Sequence, residues 1–405
     1  MPKIDVKSYL FVSIVIAVFY YVYFIYFYTV HSTPPPGDSW DYHIPIAQNL
    51  LQGIFFSNDN FKMAQWYYPA SSEFINAVFI ALKIPLTYSN IFATGVLFLA
   101  CIALARTFKL TRDYALLFGI TIITLNIILR WLNQVSVDVW IAVFFCITVI
   151  TLERLKPSIK SFAILGFNIG MMIGSKYTAS TLLIPLIFPY LRTILSKVNF
   201  SRILIFFGLL SFFGFFWYIR NYLLTGNPFY PLPILGFPGK EIFGDMRVWN
   251  IGIEHPIQMI DAAIGEYKIW IFSIPIAILY LIKKSLFIKD SAQNKEDINQ
   301  VGKIFLIALT LITIYLFYPT SREPWIMVSS LRYSYPAFIL LILGIFKLGQ
   351  IAKRESLIGF FAITGMLGIF GMEYHPKLII ISVPVSLILI FWANRYITNS
   401  PKTDK

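Results

Sequence analysis

Asp38, Asp41 and His43 lie close together near the beginning of the chain, in a stretch that follows three prolines and Gly37. Carboxylate and imidazole groups accept and donate protons under mild conditions, so this stretch has the residue types that acid–base chemistry needs. A purely structural role competes with this one, because an aspartate at a helix entrance often only caps the helix. For Asp41 capping is an equally good explanation, whereas the position of Asp38 ahead of the helix favours a chemical role.

The residues that follow predict a helix over 41–52 that ends at Gly53. The apolar residues Ile44, Ala47 and Leu51 recur at helical spacing and would form its buried face. The two aspartates would therefore lie at the entrance of a short amphipathic helix.

Three basic residues at the ends of later apolar segments, Lys176, Arg220 and Arg332, could bind an anionic group. A guanidinium can hold two oxygens of one phosphate, which suits a phosphorylated ligand. The structural alternative is that these long side chains only extend to the membrane surface. Asp138 is expected to pair with one of them across the bundle, because an ionisable group near the end of a span usually has a partner.

The composition indicates what kind of protein must position these groups. Of the 405 residues 58% are hydrophobic and only 13% are charged, whereas a soluble domain has about 25% charged residues. Apolar stretches of roughly 18 or more residues recur along the chain, and each could cross the hydrocarbon of a bilayer as a helix. The sequence therefore predicts an all-α polytopic membrane protein and excludes a water-soluble globule.

The predicted fold is a single unit over residues 1–405 with about twelve transmembrane helices and juxtamembrane helices in the first outer loop. The predicted spans are 8–30, 87–106, 112–130, 136–153, 159–175, 177–195, 201–221, 267–283, 302–319, 332–350, 355–373 and 377–396. The apolar segment 71–85 is too short to span and is predicted to lie as a helix on the outer surface. Cys101 and Cys146 fall inside spans, so no disulfide is expected.

Most of the 33 lysines and arginines fall in the short segments that this arrangement places inside, so both termini are predicted to be cytoplasmic. The formal charge of +13 is then a topology signal and does not indicate nucleic-acid binding. Two outer loops are long, 31–86 and 222–266. All 4 histidines and more than half of the 20 acidic residues lie outside. Groups able to do acid–base chemistry therefore concentrate on one face of the membrane.

Six short motifs follow one another along residues 38–333. The first runs from Asp38 to Pro45 and is similar to the pattern Asp-Ser-x-x-Tyr-His-x-Pro. The others are Tyr67-Tyr68-Pro69, Gln134-Val135-Ser136-Val137-Asp138, Gly174-Ser175-Lys176-Tyr177-Thr178, Arg220-Asn221-Tyr222 with Thr225-Gly226-Asn227-Pro228-Phe229-Tyr230-Pro231, and Arg332-Tyr333. Together they resemble the motifs of bacterial membrane glycosyltransferases with the GT-C fold. That superfamily also includes the protein O-mannosyltransferases and the aminoarabinose transferases that modify lipid A.

The resemblance implies transfer of a sugar, with inversion, from a polyprenyl-phosphate donor to an acceptor on the extracytoplasmic side. In such enzymes a first-loop carboxylate deprotonates the acceptor hydroxyl, and Asp38 occupies the matching position. The family usually has another residue, often an acidic or small polar one, next to that aspartate. Here Ser39 follows directly, and the second acid comes only at Asp41. Asp38 and Asp41 are therefore both candidates for the catalytic base.

The resemblance also implies contacts with the substrates. The residues that it assigns to substrate binding are Tyr42, His43, Tyr68, Asp138, Lys176, Tyr177, Arg220, Asn221, Asn227, Arg332 and Tyr333. No cofactor is expected, because the chain has no nucleotide-binding glycine loop and because two helix-entrance aspartates and one histidine are too few ligands for a metal site. Asp38, Asp41 and His43 do supply suitable ligand atoms, so a divalent metal is the alternative. The expected partners are the lipid-linked donor, a glycan, glycolipid or protein acceptor, and the lipid of the bacterial cytoplasmic membrane.

Two other functions stay open. A non-enzymatic carrier or flippase of a lipid-linked sugar would move its substrate without making a glycosidic bond, but a transporter more often has two related halves, and no internal repeat is found here. A polymerase or ligase of surface polysaccharide would share the location and the donor. Those proteins usually depend on arginines in a large outer loop, and the first-loop motif counts against this possibility.

Overall fold

The structure, a computed structural model, describes residues 5–26, 37–56, 64–132, 134–239, 254–282, 292–316, 330–367 and 377–399, and these residues contain no β-strand. The α-helices are α1 (Val6–Phe24), α2 (Ile44–Leu51), α3 (Glu73–Ala81), α4 (Thr87–Thr107), α5 (Arg112–Ile123), α6 (Asn126–Leu129), α7 (Asp138–Glu153), α8 (Ile159–Ile173), α9 (Tyr177–Ser180), α10 (Leu183–Ile187), α11 (Leu191–Leu195), α12 (Phe200–Leu210), α13 (Phe216–Thr225), α14 (Glu254–Tyr267), α15 (Ser273–Ile282), α16 (Ala292–Leu316), α17 (Tyr335–Ile351), α18 (Glu355–Leu367) and α19 (Lys377–Asn399). Short 3-10 helices cover Ala64–Tyr67, Phe188–Tyr190, Lys268–Phe272 and Leu331–Ser334, and π-helical turns cover Ser39–His43 and Ser211–Phe215.

Seven helices among the described residues are long and apolar enough to cross a membrane. They are Val6–Phe24, Thr87–Thr107, Tyr177–Leu195, Phe200–Thr225, Ala262–Ile282, Lys295–Leu316 and Leu331–Ile351. The other five predicted spans coincide with helices that are shorter or only partly described, namely α5, α7, α8, α18 and α19. The all-helical membrane class is therefore confirmed, and the count of twelve spans stays a prediction.

The helices α7 and α17 form the centre of the bundle, and most of the side chains of each are buried. Helix α4 packs against α5 and α7, α7 packs against α8, and α16 packs against α17. Helix α1 packs against α5, α18 and α19. Since α7 begins at Asp138 and the turn before α17 contains Arg332, the entrances of the two central helices carry opposite charges.

Glycines let α8 approach its neighbour closely. Gly166 and Gly170 of α8 and Gly174, the residue that directly follows it, are spaced at intervals of four, so they lie on one face. A Cβ atom at Gly166 would overlap the carbonyl oxygen of Phe206, and one at Gly174 would overlap the carbonyl oxygen of Phe213. Small residues of this spacing allow two membrane helices to pack backbone against backbone. This packing holds in place the turn that follows α8, which contains Lys176.

The first outer loop contains a π turn, α2 and α3. The predicted helix over 41–52 is present, but it begins earlier with the π turn Ser39–His43. Ala47 is buried as predicted, whereas Leu51 is 46% exposed and Leu50 is buried in its place. A π turn holds more residues than an α-helical turn, so the buried face of α2 is rotated about the helix axis relative to the predicted one. Helix α3, in the predicted segment 71–85, packs against α2 and is too short to cross a membrane.

Cys101 of α4 and Cys146 of α7 are buried and form no disulfide, in agreement with the prediction. Residues 27–36 and 57–63 of the first outer loop and 240–253 of the second lie outside the described residues. The extents of these two loops, 31–86 and 222–266, and the single unit over 1–405 stay predictions.

Candidate active site

Two serines attach the first outer loop to the helical bundle. The Ser39 hydroxyl donates to Gln134 Oε1 at 2.8 Å and accepts the backbone N–H of Val135 at 3.0 Å. At the other end of the loop the backbone N–H of Ser71 donates to the carbonyl oxygen of Gly174 at 2.7 Å. The segments before α7 and after α8 therefore meet the first outer loop directly.

Asp38 immediately precedes the π turn and forms an ion pair with Arg332. The Nη2 atom of Arg332 donates to Asp38 Oδ2 at 2.9 Å. The side chain of Asp38 is 42% exposed, whereas that of Arg332 is only 7% exposed. Asp38 makes no side-chain hydrogen bond to the helix amides, so it does not act as a cap. The structure thus presents a reachable carboxylate on a buried cation.

Asp138 links Arg332 to Lys176. Its Oδ1 atom accepts a hydrogen bond from Lys176 Nζ at 3.0 Å, and its Oδ2 atom lies 3.4 Å from Arg332 Nε. Asp138 thus pairs with basic residues, as the sequence predicts. We call Asp38, Asp138, Lys176 and Arg332 the ion cluster. It combines two cations with two carboxylates, and Lys176 and Arg332 are turned into the protein and do not extend to its surface.

Arg332 has hydrogen-bonding capacity that the ion cluster does not use. Its Nη1 atom is buried and has no hydrogen-bond partner among the described residues, and its Nε atom makes the ion pair of 3.4 Å with Asp138 but no hydrogen bond. The guanidinium carbon lies 4.6 Å from the centre of the Trp131 ring, and Lys176 Nζ lies 4.3 Å from the centre of the Tyr333 ring. Buried cations with unused donors have a high affinity for the oxygens of an anion. The arrangement therefore suits a phosphate group.

The protonation states follow from burial and from Arg332. Burial by itself would raise the pKa of Asp38, but the charge and the hydrogen bond of Arg332 outweigh it and hold this pKa below its ordinary value. Asp38 is therefore an ionised carboxylate at neutral pH. Burial raises the pKa of both Tyr42 and Tyr68, so these two residues present neutral hydroxyl groups.

Asp41, the second candidate base, occupies a different environment. Its side chain is exposed and takes part in no ion pair among the described residues. Its carbonyl oxygen accepts a hydrogen bond from Trp66 Nε1 at 2.8 Å. Asp41 lies inside the π turn and not at its entrance. Of the two aspartates, only Asp38 belongs to the ion cluster.

A buried chain of hydrogen bonds begins at His43. The Nδ1 atom of His43 is hydrogen-bonded to Glu73 Oε1, and both residues are only 2% exposed. Asn76 Nδ2 donates to the other carboxylate oxygen of Glu73 at 2.6 Å, and the Ser89 hydroxyl donates to Asn76 Oδ1 at 2.5 Å. No sequence motif indicates a site role for Glu73. The available signal was that Glu73 is the only acid in the apolar segment 71–85.

A second group, which we call the tyrosine cluster, consists of Tyr67, Tyr177, Arg220 and Asn221. Arg220 Nη2 donates to the carbonyl oxygen of Tyr67 at 2.9 Å and to Asn221 Oδ1 at 2.7 Å. Asn221 Nδ2 donates to the same carbonyl and to Tyr177 Oη, in each case at 2.6 Å. The Arg220 guanidinium lies 4.8 Å from the centre of the Trp217 ring. Arg220 is 2% exposed, so it does not extend to the membrane surface.

Asn227 organises the loop that follows α13. Its Nδ2 atom donates to the carbonyl oxygens of Leu232 and Pro238 at 3.0 and 2.8 Å. Tyr177 Oη donates to the carbonyl oxygen of Tyr230 in the same loop at 2.8 Å. These bonds join the described part of the second long loop to the tyrosine cluster.

Aromatic rings connect the two clusters. The ring centres of Tyr42 and Tyr68 are 5.7 Å apart, those of Tyr68 and Tyr177 are 5.9 Å apart, and both pairs meet edge to face. The pKa of Tyr42 responds to the charges of Asp38 and Arg332, so this row of rings begins beside the ion cluster. Such a row offers both flat apolar faces and hydroxyl groups, which suits a sugar.

Two cavities border the ion cluster, each with a volume of about 10 Å³, room for roughly one water molecule. Asp138 and Arg332 line the first, and His43, Tyr68 and Lys176 line the second. No group of three or more histidine, cysteine, aspartate or glutamate residues that could hold a metal occurs among the described residues. The expectation that no metal or other cofactor is needed stays a prediction.

Comparisons with other proteins bear mainly on the fold. A family model described as a domain of unknown function (DUF8201) matches residues 68–239. No curated protein matches the chain. Among solved structures the chain is similar to ArnT from Cupriavidus metallidurans bound to undecaprenyl phosphate, with a TM-score of 0.55 and 11% sequence identity. The similarity covers 94% of this chain and 70% of ArnT.

The likeness to ArnT shows the fold. The chain is an integral membrane protein with a GT-C-like helical fold. The region that the family model matches contains Asp138, Lys176 and Arg220, whereas Asp38 and Arg332 lie outside it. The ion cluster therefore combines residues from inside and outside the matched region.

Proposed function

We propose that the protein is an inverting glycosyltransferase that moves a sugar from a polyprenyl-phosphate donor to an acceptor outside the cytoplasm. The observation that carries this proposal is the ion pair of 2.9 Å between Asp38 and Arg332. Transfer from a lipid phosphate needs a base for the acceptor next to cations for the leaving group. The ion cluster has both, on a GT-C-like fold.

The donor phosphate would bind to Arg332 and Lys176. Among the described residues Arg332 Nη1 donates no hydrogen bond, and Lys176 pairs with one acid, Asp138. A lipid phosphate leaves as an anion without taking a proton, so its departure is assisted by fixed positive charge. The similar structure, ArnT, is described as bound to undecaprenyl phosphate, which is a lipid of the class proposed here.

Asp38 would act on the acceptor. Its carboxylate is ionised and partly exposed, so it can take the proton from an acceptor hydroxyl. The acceptor oxygen then forms a bond to the anomeric carbon while the bond from that carbon to the phosphate oxygen breaks. The polyprenyl phosphate leaves with the electron pair. Because attack and departure occur on opposite faces of the sugar, the anomeric configuration inverts.

The residues around the ion cluster would form the sugar site. We assign Tyr42, Tyr68 and Tyr333 to its wall, because their rings lie beside the ion cluster. Tyr177, Asn221 and Asn227, also predicted to bind substrate, make hydrogen bonds that would shape this wall from behind.

We also infer the orientation of the protein in the membrane. At the end of α17 remote from Arg332, Gln350 Nε2 donates to the carbonyl oxygen of Lys109, and Gln350 Oε1 accepts the N–H of Thr111, each at 3.1 Å. Two short basic segments meet there, and segments of this kind stay in the cytoplasm. The ion cluster would then face the outside of a bacterial cytoplasmic membrane, and both termini would be cytoplasmic.

A reconstituted assay tests the proposal. The purified protein is placed in liposomes with undecaprenyl-phosphate-linked sugars, and both the released undecaprenyl phosphate and the glycosylated product are measured. Mass spectrometry of surface glycolipids and glycoproteins, with and without the protein in cells, identifies the sugar and the acceptor. Movement of the lipid-linked sugar between leaflets without any new glycosidic bond would favour the carrier and contradict the transferase.

A further inference from the structure

We propose that a cavity at the inner end of the bundle binds one anionic phospholipid, with an acyl chain inside the cavity and the headgroup phosphate on Arg354. The inner end is the end of α17 remote from Arg332, which faces the cytoplasm in the proposed orientation. The inference goes beyond the proposed function, because it adds a lipid site that is separate from the ion cluster. Binding at this site does not require sugar transfer, so each of the two proposals can fail without the other.

The cavity has a volume of about 460 Å³ and lies between α15, α17, α18 and the 3-10 helix that precedes α15. This volume is in the range of pockets that bind small molecules, whereas each cavity beside the ion cluster has room for roughly one water molecule. Of its lining side chains, Trp270, Ile345 and Ile358 are buried, whereas Phe272 is 62% and Leu357 is 49% exposed. The cavity therefore opens at an apolar surface, which in a membrane protein faces the lipid.

The position of the cavity separates it from the proposed donor site. Its lining includes Ile345, Leu348 and Gly349 of α17. A helix rises about 1.5 Å per residue, so Leu348 lies roughly 25 Å from Arg332 along the bundle. One phosphate cannot bind to Arg332 and Arg354 at the same time. An anion on Arg354 therefore belongs to a second molecule.

Close helix packing places Arg354 at the cavity. A Cβ atom at Gly349 would lie 2.5 Å from Ile358 Cγ1, so this glycine lets α18 approach α17 closely. Only residues 352–354 join the two helices, and the backbone N–H of Arg354 donates to the carbonyl oxygen of Gly349 at 2.7 Å. The backbone of Arg354 is thus held next to the cavity wall, and Arg354 is part of the lining.

Arg354 gives the cavity a positive charge. Among the described residues that line the cavity it alone is charged, and its exposed side chain makes no ion pair within the described part of the chain. Lys353, which precedes it, is exposed as well. Glu355 follows it but does not line the cavity. An apolar cavity with a cation at one end is complementary to a lipid that has a negative headgroup.

The chemistry of the cavity selects the class of lipid. An acyl chain in the cavity removes apolar surface from contact with water or headgroups, and a guanidinium donates hydrogen bonds to phosphate oxygens. Basic pockets between membrane helices on the cytoplasmic side bind anionic headgroups in this way. A competing explanation is that the cavity accepts a chain of any membrane lipid. That explanation predicts no preference for an anionic headgroup.

Quenching of tryptophan fluorescence by brominated lipids tests the site, because Trp270 lines the cavity. The full-length protein in detergent is titrated with phosphatidylglycerol or with phosphatidylcholine, each with the same brominated chains. The quenching of the unaltered protein minus that of Trp270→Phe reports on the cavity alone. We expect the Kd of phosphatidylglycerol to be roughly 10-fold below that of phosphatidylcholine, the effect of one hydrogen bond to a charged group.

Arg354→Gln should raise the Kd of phosphatidylglycerol about 10-fold and leave that of phosphatidylcholine unchanged. Arg112→Gln is the matched control, because Arg112 is exposed at the start of α5, at the same end of the bundle, and does not line the cavity. Its Kd values should be those of the unaltered protein. Ile276→Phe fills the cavity and should weaken both lipids, whereas Ile278→Phe, on the same helix and outside the lining, should weaken neither.

Equal Kd values for the two lipids in the unaltered protein overturn the proposal, and so does a preference that survives Arg354→Gln. If Trp270→Phe does not fold, unchanged binding in Ile276→Phe overturns it instead. Undecaprenyl phosphate is the competitor. Displacement of the brominated lipid from the unaltered protein but not from Arg332→Gln would assign the cavity to the tail of the donor, which also overturns the phospholipid site.

Discussion

The ion cluster and the tyrosine cluster each contain a buried arginine, but the two arginines have different partners. Arg332 contacts two carboxylates, those of Asp38 and Asp138. The hydrogen bonds described for Arg220 go to a backbone carbonyl and to the amide of Asn221. A cation that is neutralised by carboxylate side chains can exchange one of them for a substrate anion. A cation that is bound to the backbone instead holds a loop in place. The partners of a buried charge therefore indicate its role better than its residue type does.

The largest effect is expected for Asp38→Asn in the ion cluster. Loss of the general base should reduce sugar transfer by roughly 10²- to 10⁴-fold, while the protein stays folded in the membrane. Asp41→Asn is the matched variant, and it should reduce transfer by no more than a few-fold because Asp41 lies outside the ion cluster. Turnover of both variants in liposomes checks this. Retained transfer in Asp38→Asn, together with loss in Asp41→Asn, would reverse the assignment of the base.

Arg332→Gln should weaken binding of the donor lipid. A hydrogen bond to a charged group contributes about 1.5–3 kcal/mol, so the Kd for undecaprenyl phosphate should rise by roughly 10- to 100-fold. Titration of the lipid into the protein in detergent, followed by intrinsic tryptophan fluorescence, measures this. An unchanged Kd would show that the phosphate does not contact Arg332. The difference in role between Arg332 and Arg220 would then be wrong.

Arg220→Gln should act mainly on stability. Removing the guanidinium leaves the carbonyl of Tyr67 and the amide of Asn221 with fewer partners in a buried place, at a cost of about 2 kcal/mol. The exposed Arg192→Gln is the control, with an expected change within about 0.5 kcal/mol. Thermal unfolding in detergent measures both. The motif comparison instead predicts that Arg220 binds the donor, and a weaker donor affinity at unchanged thermal stability would support that role.

The smallest effect concerns pH. Because the pKa of Asp38 is lowered in the folded protein, its ion pair contributes stability above the ordinary carboxyl pKa, and this contribution disappears as the pH falls through the lowered value. The difference in melting temperature between the unaltered protein and Asp38→Asn should therefore be constant near neutral pH and should shrink below about pH 4. Unfolding scans between pH 7 and 3 check this. A difference that is the same at every pH would mean that Asp38 is not ionised in its pair with Arg332.

Local patterns in the sequence determined much of the architecture. Apolar length alone predicts the membrane class, and a helix occurs at the position of every predicted span. The short helices of the first outer loop follow in the same way from periodicity and from Gly53, which has a φ of +70°. Hydropathy and helical period depend on neighbouring residues, so they can be evaluated without knowledge of the fold.

The partners of the charged residues were decided only by the tertiary structure. Lys176, Arg220 and Arg332 have the same expected role in the sequence, yet packing brings two of them to Asp138 and the third to the carbonyl of Tyr67. No local pattern indicates that Glu73 contacts His43, because the packing of α2 against α3 brings the two residues together. The physical reason is that these contacts join segments far apart in the chain. Their geometry depends on close helix packing, which no local pattern of residues determines.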